Sequence, residues 1–352
     1  MSILSIKNLW KYYDNEAQPA VRDFSLEVEQ GEMVAILGES GCGKTTILRM
    51  IAGFEVQSRG SIRINGKTVC SDRLFVEPEN RGVGIVFQDY ALFPHKTVLE
   101  NIGFGLFHLP RKQREEKVLS VMRMSGLEGL EKRYPHQLSG GQKQRVALAR
   151  ALAPEPKLIL FDEPFSNIDT MRKHRIREDI QDIIRKTEST AIFVTHDTKD
   201  VLAIADRVSV LKEGVTLQTG SPYQIYSRPR NRYVADFFGK TNVLRAKTVE
   251  GGFDTPIGFI KSDTQLPATM DEVLLSIRPE NFEIGSDDEE CFCGSIKSEN
   301  FLGDYKELVC EVKTPEGETA EVVIYAPPQQ ECENQTCWFR PKNDSPPGIL
   351  EE

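Results

Sequence analysis

The chain has no apolar run of the roughly 18 residues needed to cross a bilayer. Its first residues, MSILSIKNLWKYY, lack the basic stretch followed by an apolar core that marks a secretion signal. It has no basic excess: 44 Lys and Arg stand against 53 Asp and Glu, a net charge of -9, which excludes a dedicated nucleic-acid binder. Cysteine is sparse and irregular, seven in 352 residues, which excludes a disulfide framework and suits a reducing compartment. No internal repeat or long low-complexity tract is present. What remains, 39% hydrophobic and 28% charged, is the composition of a globular protein of about two domains.

The first half alternates short apolar runs with helix-spaced segments, the pattern of a layered α/β domain. Strands are predicted over Leu4–Leu9, Phe24–Val28, Met33–Leu37, Gly60–Ile64, Val83–Phe87, Leu158–Phe161, Ala191–Val194 and Arg207–Lys212. Between Leu99 and Ala153 the pattern turns helical, through RKQREEKVLSVMRMSG and GQKQRVALARALA, and predicts a helical subdomain over about 90–153. Pro222 and Pro229 punctuate two short helices after Gly220. Beyond 240 the texture becomes short alternating strands, such as Lys306–Lys313 and Thr319–Tyr325, separated by polar turns. These predict a small all-β, barrel-type domain over 240–352, behind an α/β domain over 1–239. The tail PKNDSPPGILEE reads as loose.

Three motifs carry chemistry. In Gly38-Glu-Ser-Gly-Cys-Gly-Lys44-Thr45-Thr46, glycines let backbone approach a ligand closely, and the stretch lies between a predicted strand and helix. Amide groups from Ser40, Gly41, Cys42 and Gly43 through Thr46, at a helix start, would cradle phosphate oxygens. Lys44 would add charge on the β- and γ-phosphates, and the Thr45 hydroxyl would hold Mg²⁺. Such a match arises by chance in roughly one chain in a hundred, so the flanking strand and helix decide for function. The second motif, Leu158-Ile-Leu-Phe-Asp162-Glu163, ends an apolar strand in two carboxylates. Asp162 suits a water on Mg²⁺, and Glu163 suits a base acting on an attacking water. The third, Leu138-Ser139-Gly140-Gly141-Gln142, opens a helix with a hydroxyl and free amides, another anion site. One γ-phosphate does not need two glycine cradles from one chain, so the second is expected to serve a nucleotide held by another copy.

Together these motifs resemble the ATP-binding subunits of ABC transporters over essentially all of residues 1–240. The resemblance implies a P-loop ATPase using ATP and Mg²⁺ as a head-to-tail homodimer, with Ser139–Gln142 closing over the partner's ATP. It further implies that Tyr13 stacks on adenine, with neighbouring Tyr12 a rival. Gln88 would contact Mg²⁺ and water, Ser166-Asn-Ile-Asp169 would be the loop facing the partner's nucleotide, and His196 would contact the γ-phosphate. Catalysis would then rest on Glu163, His196, Lys44 and Gln88, with metal contacts from Thr45, Gln88 and Asp162. The stretches YALFPHKTVLENIGFGL, SRPRNRYVADFFG and SIRPE are similar to importer ATPases with a C-terminal regulatory β-domain of OB-like type, among them those for ferric iron, sulfate, polyamines and sugars. The ferric-iron importers are the most similar in overall look. This implies integral membrane permease subunits as partners, a periplasmic substrate-binding protein acting indirectly, no nucleic acid, and a place on the cytoplasmic face of a bacterial inner membrane. An ABC-type ATPase of DNA repair or translation is the competing class. Lys44 and Ser139 lie too close for an interposed long coiled coil, and only one cassette is present.

Two groups read as structural. Cys291, Cys293, Cys310, Cys332 and Cys337 show no zinc spacing and are expected as free or packed thiols. The basic run Met171–Arg177 is expected as a solvated helix face.

Overall fold

A computed structural model of the chain describes residues 2–13, 18–166, 168, 170–262, 271–285, 291–313, 319–332 and 335–351. The chain divides into two compact units, Met1–Pro222 and Tyr223–Glu352. The sequence texture changes later, after 239. The helices Pro222–Ser227 and Arg232–Phe237 group with the second unit because Arg278 binds carbonyls of Tyr226, Ala235, Gly239 and Lys240.

The first unit is built on a six-stranded sheet. Its order is Val215–Gly220, Arg207–Lys212, Met33–Gly38, Thr190–Thr195, Leu158–Asp162 and Val83–Val86. All neighbours run parallel except the first pair. Met33–Gly38 and Thr190–Thr195 are buried at every position, which explains why they read as unbroken apolar runs. A second, antiparallel sheet joins Val21–Glu29, Ser2–Lys11, Arg59–Ile64, Lys67–Ser71 and Leu74–Phe75.

The helix Lys44–Ala52 lies in one apolar core with both sheets: its Ile47, Leu48 and Ile51 share a cluster with Val34 and Ile36 of one and Ile6, Leu9 and Phe24 of the other. Each such fully buried side chain contributes about 1.5–3 kcal/mol. That burial on both sides fixes where the helix begins, and with it the phosphate loop. The helical region holds Val98–Ile102, Arg111–Met124 and Gly140–Leu152. The first and last start with reciprocal capping boxes, Thr97 with Glu100 and Ser139 with Gln142.

The second unit is the expected all-β domain, entered by two short helices. It contains two five-stranded antiparallel sheets. One joins Gly258–Lys261, Gly252–Thr255, Asn242–Val249, Glu272–Ile277 and Gly348–Leu350. The other joins Phe282–Ile284, Thr336–Pro341, Phe292–Phe301, Lys306–Lys313 and Thr319–Ala326. The tail is not loose: Gly348–Leu350 pairs with Glu272–Ile277, Leu350 is buried, and Glu351 bonds Arg230. Cys310 and Cys337 are buried free thiols within the second sheet's core. Among the described residues, no helix is long and apolar enough to cross a membrane.

Candidate functional site

The strands Met33–Gly38, Leu158–Asp162, Thr190–Thr195 and Val83–Val86 are parallel, so their carboxyl ends open on one edge of the sheet, where open α/β sheets bind ligands. The phosphate loop, the paired carboxylates, Gln88 and His196 all leave from that edge, whereas the Leu138–Gln142 motif opens a helix elsewhere in the unit. Gly38 begins the phosphate loop, Glu163 follows Asp162, His196 follows Thr195, and Gln88 lies exposed two residues beyond Val86.

The loop's glycines have different reasons. A Cβ on Gly38 would fall 2.3 Å from the Leu211 carbonyl oxygen, and one on Gly43 would fall 2.3 Å from that of Ala20. Gly41 meets nothing within 4 Å but holds φ +85°. Two of the three are thus required by close backbone approach, and the third by a left-handed turn. Lys44 is 5% exposed, and its ammonium donates to the carbonyls of Gly38 at 2.8 Å and Glu39 at 2.7 Å, with Cys42 Sγ at 3.8 Å. The charge is therefore curled into the mouth of its own loop. Burial pushes the Cys42 thiol up, so it sits there as a neutral packing group. Ser40 is exposed at the loop's rim.

Thr45 Oγ1 donates to Asp162 Oδ1 at 3.4 Å. Burial raises the Asp162 carboxyl above its usual range, against the lowering effect of that hydroxyl. A hydroxyl and a carboxylate side by side, all hard oxygen donors, fit Mg²⁺. Glu163 Oε1 lies 3.0 Å from His196 Nδ1, with side-chain exposures of 20% and 52%. Tyr13 OH lies 3.3 Å from Thr46 Oγ1, and Lys11 sits over its ring at 5.0 Å. The rival Tyr12 instead stacks on Trp10. The first unit thus brings together Tyr13, the loop 38–46, Asp162, Glu163 and His196.

Ser139 caps the helix Gly140–Leu152: its Oγ accepts from the Gln142 amide at 3.4 Å, and Gln142 Oε1 accepts from the Ser139 amide at 3.0 Å. A Cβ on Gly141 would fall 2.9 Å from Ile176 Cδ1. No described bond links this helix tip to the loop 38–46. Asp169 lies outside the described residues.

Sequence reasoning missed two groups. Arg81, 4% exposed, donates to the carbonyls of Met50 at 2.7 Å and Ile51 at 3.0 Å, satisfying the end of the helix that Lys44 begins. Gly53 makes room for it, since a Cβ there would lie 2.6 Å from Arg81 Nε. The signal available was a Gly ending a helix, with Arg81 three strands further along the chain, too common to use. The basic run Met171–Arg177 is not simply a solvated face: Lys173 and Arg177 are turned into ion pairs with Asp197 and Asp200, because the helix packs its Ile176 and Ile180 side inward.

The profile of the ABC transporter family matches residues 21–166. A spermidine/putrescine import ATP-binding protein of Pseudomonas fluorescens is 44% identical over 81% of this chain and 79% of its own length. An Fe(3+) ions import ATP-binding protein of Rhizobium etli is 39% identical over 85% and 84%. A trehalose/maltose import ATP-binding protein of Thermococcus litoralis is 41% identical over 81% and 74%. Among solved structures, CbiO1 of Clostridium perfringens, part of an ABC transporter complex, matches 64% of this chain and 90% of its own at a TM-score of 0.58 and 31% identity. A dimeric ATP-binding cassette in a post-hydrolysis state with ADP and Pi matches 62% and 98% at a TM-score of 0.55 and 30% identity. The chain belongs to the ABC transporter family, among the ATP-binding subunits of importers.

Proposed function

We propose that this chain is the ATP-hydrolysing subunit of a ferric-iron importer, working as a homodimer on the cytoplasmic face of a bacterial inner membrane, beneath integral permease subunits that a periplasmic substrate-binding protein feeds. The observation that carries the catalytic part is the Glu163–His196 pair at 3.0 Å, on the same sheet edge as Lys44 and the Thr45–Asp162 pair. Tyr13 stacks on the adenine, and the amides of residues 40–46 with Lys44 grip the phosphates. Thr45, Asp162 and Gln88 hold Mg²⁺, which when bound neutralises charge on the phosphate oxygens. Glu163 takes the proton of a water attacking in line, and His196 orients the Glu163 carboxylate and binds the γ-phosphate. Ser139, Gly140, Gly141 and Gln142 of a second copy close the site. This division of labour explains why one chain carries two glycine-rich helix tips.

Ferric iron as cargo is supported by relatives named as Fe(3+) importers from Rhizobium etli and Mesorhizobium japonicum, at 39% and 41% identity over more than four-fifths of this chain. Polyamine import is the second reading, favoured by the 44% identity to the Pseudomonas fluorescens protein. Reconstituting the subunit with its permease and measuring ATPase stimulation separates them. A binding protein loaded with ferric ion should raise the rate and one loaded with spermidine should not. The reverse result transfers the cargo to polyamines, and copurification with nucleic acid instead of a permease removes the importer reading.

A further inference from the structure

The catalytic pair stands at the feet of two helices. The helix Thr170–Lys186 follows the turn at Glu163–Ser166, and the helix Thr198–Ile204 starts from Asp197, the residue after His196. Away from the pair, these helices are joined by four charges. Lys173 Nζ pairs with Asp197 and, at 3.1 Å, with Asp200. Arg177, one turn on, grips Asp200 Oδ1 through Nη2 at 2.6 Å and Nε at 2.7 Å. The side chains of Lys173, Arg177 and Asp200 are only 14%, 13% and 3% exposed.

Taking such a quartet out of water costs about as much as its attraction returns, and apolar residues of the same size would hold two helices together as well. What apolar packing would not give is a fixed geometry for one particular residue. Asp197 has three anchors: Oδ1 accepts from the Lys199 amide at 2.9 Å and the Asp200 amide at 3.3 Å, its own amide donates to Thr195 Oγ1 at 3.0 Å, and its other carboxylate oxygen meets Lys173. Thr195 is fixed in the sheet beside Leu37. His196 is therefore held on one side by a strand and on the other by a charge clamp rooted in the helix that follows Glu163.

We propose that Lys173 and Arg177 are positioning residues for ATP hydrolysis: through Asp197 and Asp200 they hold the segment carrying His196 at the spacing from Glu163 at which the two side chains pair. This rests on the catalytic reading of Glu163 and His196 given above. Neither cation touches nucleotide in this scheme.

The test uses the full-length chain and compares single-turnover hydrolysis, ATP affinity and Tm for wild type, Lys173→Met, Lys173→Arg, His196→Ala and the Lys173→Met/His196→Ala double variant. Lys173→Met should slow hydrolysis about 10- to 100-fold, the effect of a misplaced catalytic group, with ATP affinity retained. Lys173→Arg should restore most of the rate. In the His196→Ala background Lys173→Met should add less than about a twofold loss, because both changes remove the same interaction. A wild-type rate for Lys173→Met, or an equal fold-loss in both backgrounds, overturns the proposal. If Lys173→Met does not fold, Arg177→Lys, which keeps charge but loses the two-pronged bond, is read in the same two backgrounds with the same criteria. Glu163→Gln separates the premises: full-speed hydrolysis by that variant overturns the catalytic reading, whereas slow Glu163→Gln with fast Lys173→Met overturns the positioning role alone.

Discussion

Glu163 Oε1 and His196 Nδ1 meet at 3.0 Å although 33 residues separate them. The meeting is produced by the sheet: Asp162 lies in register with Val194 on the neighbouring parallel strand, and the Glu163 amide donates to the Val194 carbonyl at 2.8 Å. Glu163 itself holds φ +45°, a left-handed conformation that costs a residue with a Cβ about 1–2 kcal/mol. Asp162 continues the strand and turns to Thr45, while the left-handed step turns Glu163 toward His196. Two adjacent carboxylates thereby serve two partners.

Replacing Glu163 by Gln keeps shape and hydrogen bonding but removes the proton acceptor. General-base catalysis contributes about 10²–10⁴ in rate, so turnover should fall by at least that range while ATP affinity is retained. Equilibrium binding of radiolabelled ATP alongside phosphate release checks both halves. A variant that hydrolyses at the wild-type rate removes Glu163 from this role.

The glycines of the phosphate loop give a graded prediction. Gly41→Ala meets open space and carries only the left-handed penalty of about 1–2 kcal/mol. Gly43→Ala combines φ +101° with a Cβ 2.3 Å from the Ala20 carbonyl oxygen, so strand and loop must part. Urea unfolding should rank Gly43→Ala as the more damaging by at least about 1 kcal/mol, and ATP affinity should follow the same order. Equal losses would show that loop strain, rather than close packing, sets both positions.

Much of the first unit is legible in its sequence because the inner strands of its six-stranded sheet are buried on both faces. Met33–Gly38 and Arg207–Lys212 appear as apolar runs within a residue of their structural bounds. The short strands Lys67–Ser71 and, at the sheet's edge, Leu74–Phe75 carry only a few apolar residues and no clear alternation, so neighbours rather than local pattern make them strands. The Leu138–Gln142 motif is legible as a helix start, whereas the reciprocal capping of Ser139 and Gln142 appears only in the structure. The tail strand Gly348–Leu350 is not legible: proline and polar residues dominate its surroundings, and its partner Glu272–Ile277 lies some seventy positions earlier. The Lys173–Asp197–Asp200–Arg177 clamp was illegible for a related reason. A basic run alone looks solvated, and only the fold brings the acidic helix start to it.

Asp162 is expected to trade stability for metal binding. Its carboxyl is raised by burial, so in the metal-free protein the ionised form is favoured less in the folded than in the unfolded state. Near neutral pH this is a penalty, and it is relieved as pH falls through the raised folded value. Asp162→Asn should therefore raise the Tm of the nucleotide-free protein near pH 7, with the gap to wild type closing on acidification. The same variant should lose the Mg²⁺ dependence of ATP turnover. Thermal scans across pH check the sign, and a lower Tm for the variant at neutral pH would contradict it.

In the second unit the corresponding fixed point is Arg278, 2% exposed and stacked over the Tyr226 ring at 4.2 Å. Its Nη1 donates to the carbonyls of Ala235 at 2.9 Å, Gly239 at 3.1 Å and Lys240 at 3.2 Å, and Nε donates to that of Tyr226 at 3.2 Å. These carbonyls belong to the two entry helices and the turn after them, so one guanidinium gathers the segment onto the strand Glu272–Ile277. Tyr226 in turn donates to Glu280; burial first, and then that bond, push the phenol up and keep it a donor. Removing a buried charged hub strands several carbonyls at once, and Arg278→Met should cost about 3–5 kcal/mol. Arg278→Lys should recover little, because an ammonium lacks the planar fork and the stacking face. Each unit has one tryptophan, Trp10 and Trp338, so in a Trp10→Phe background the fluorescence of Trp338 follows the second unit by itself. Its urea midpoint should fall sharply in Arg278→Met and remain low in Arg278→Lys. An unchanged midpoint would mean that the entry helices are held by their apolar residues, Ile225, Val234 and Ala235, and that the guanidinium is incidental to their place.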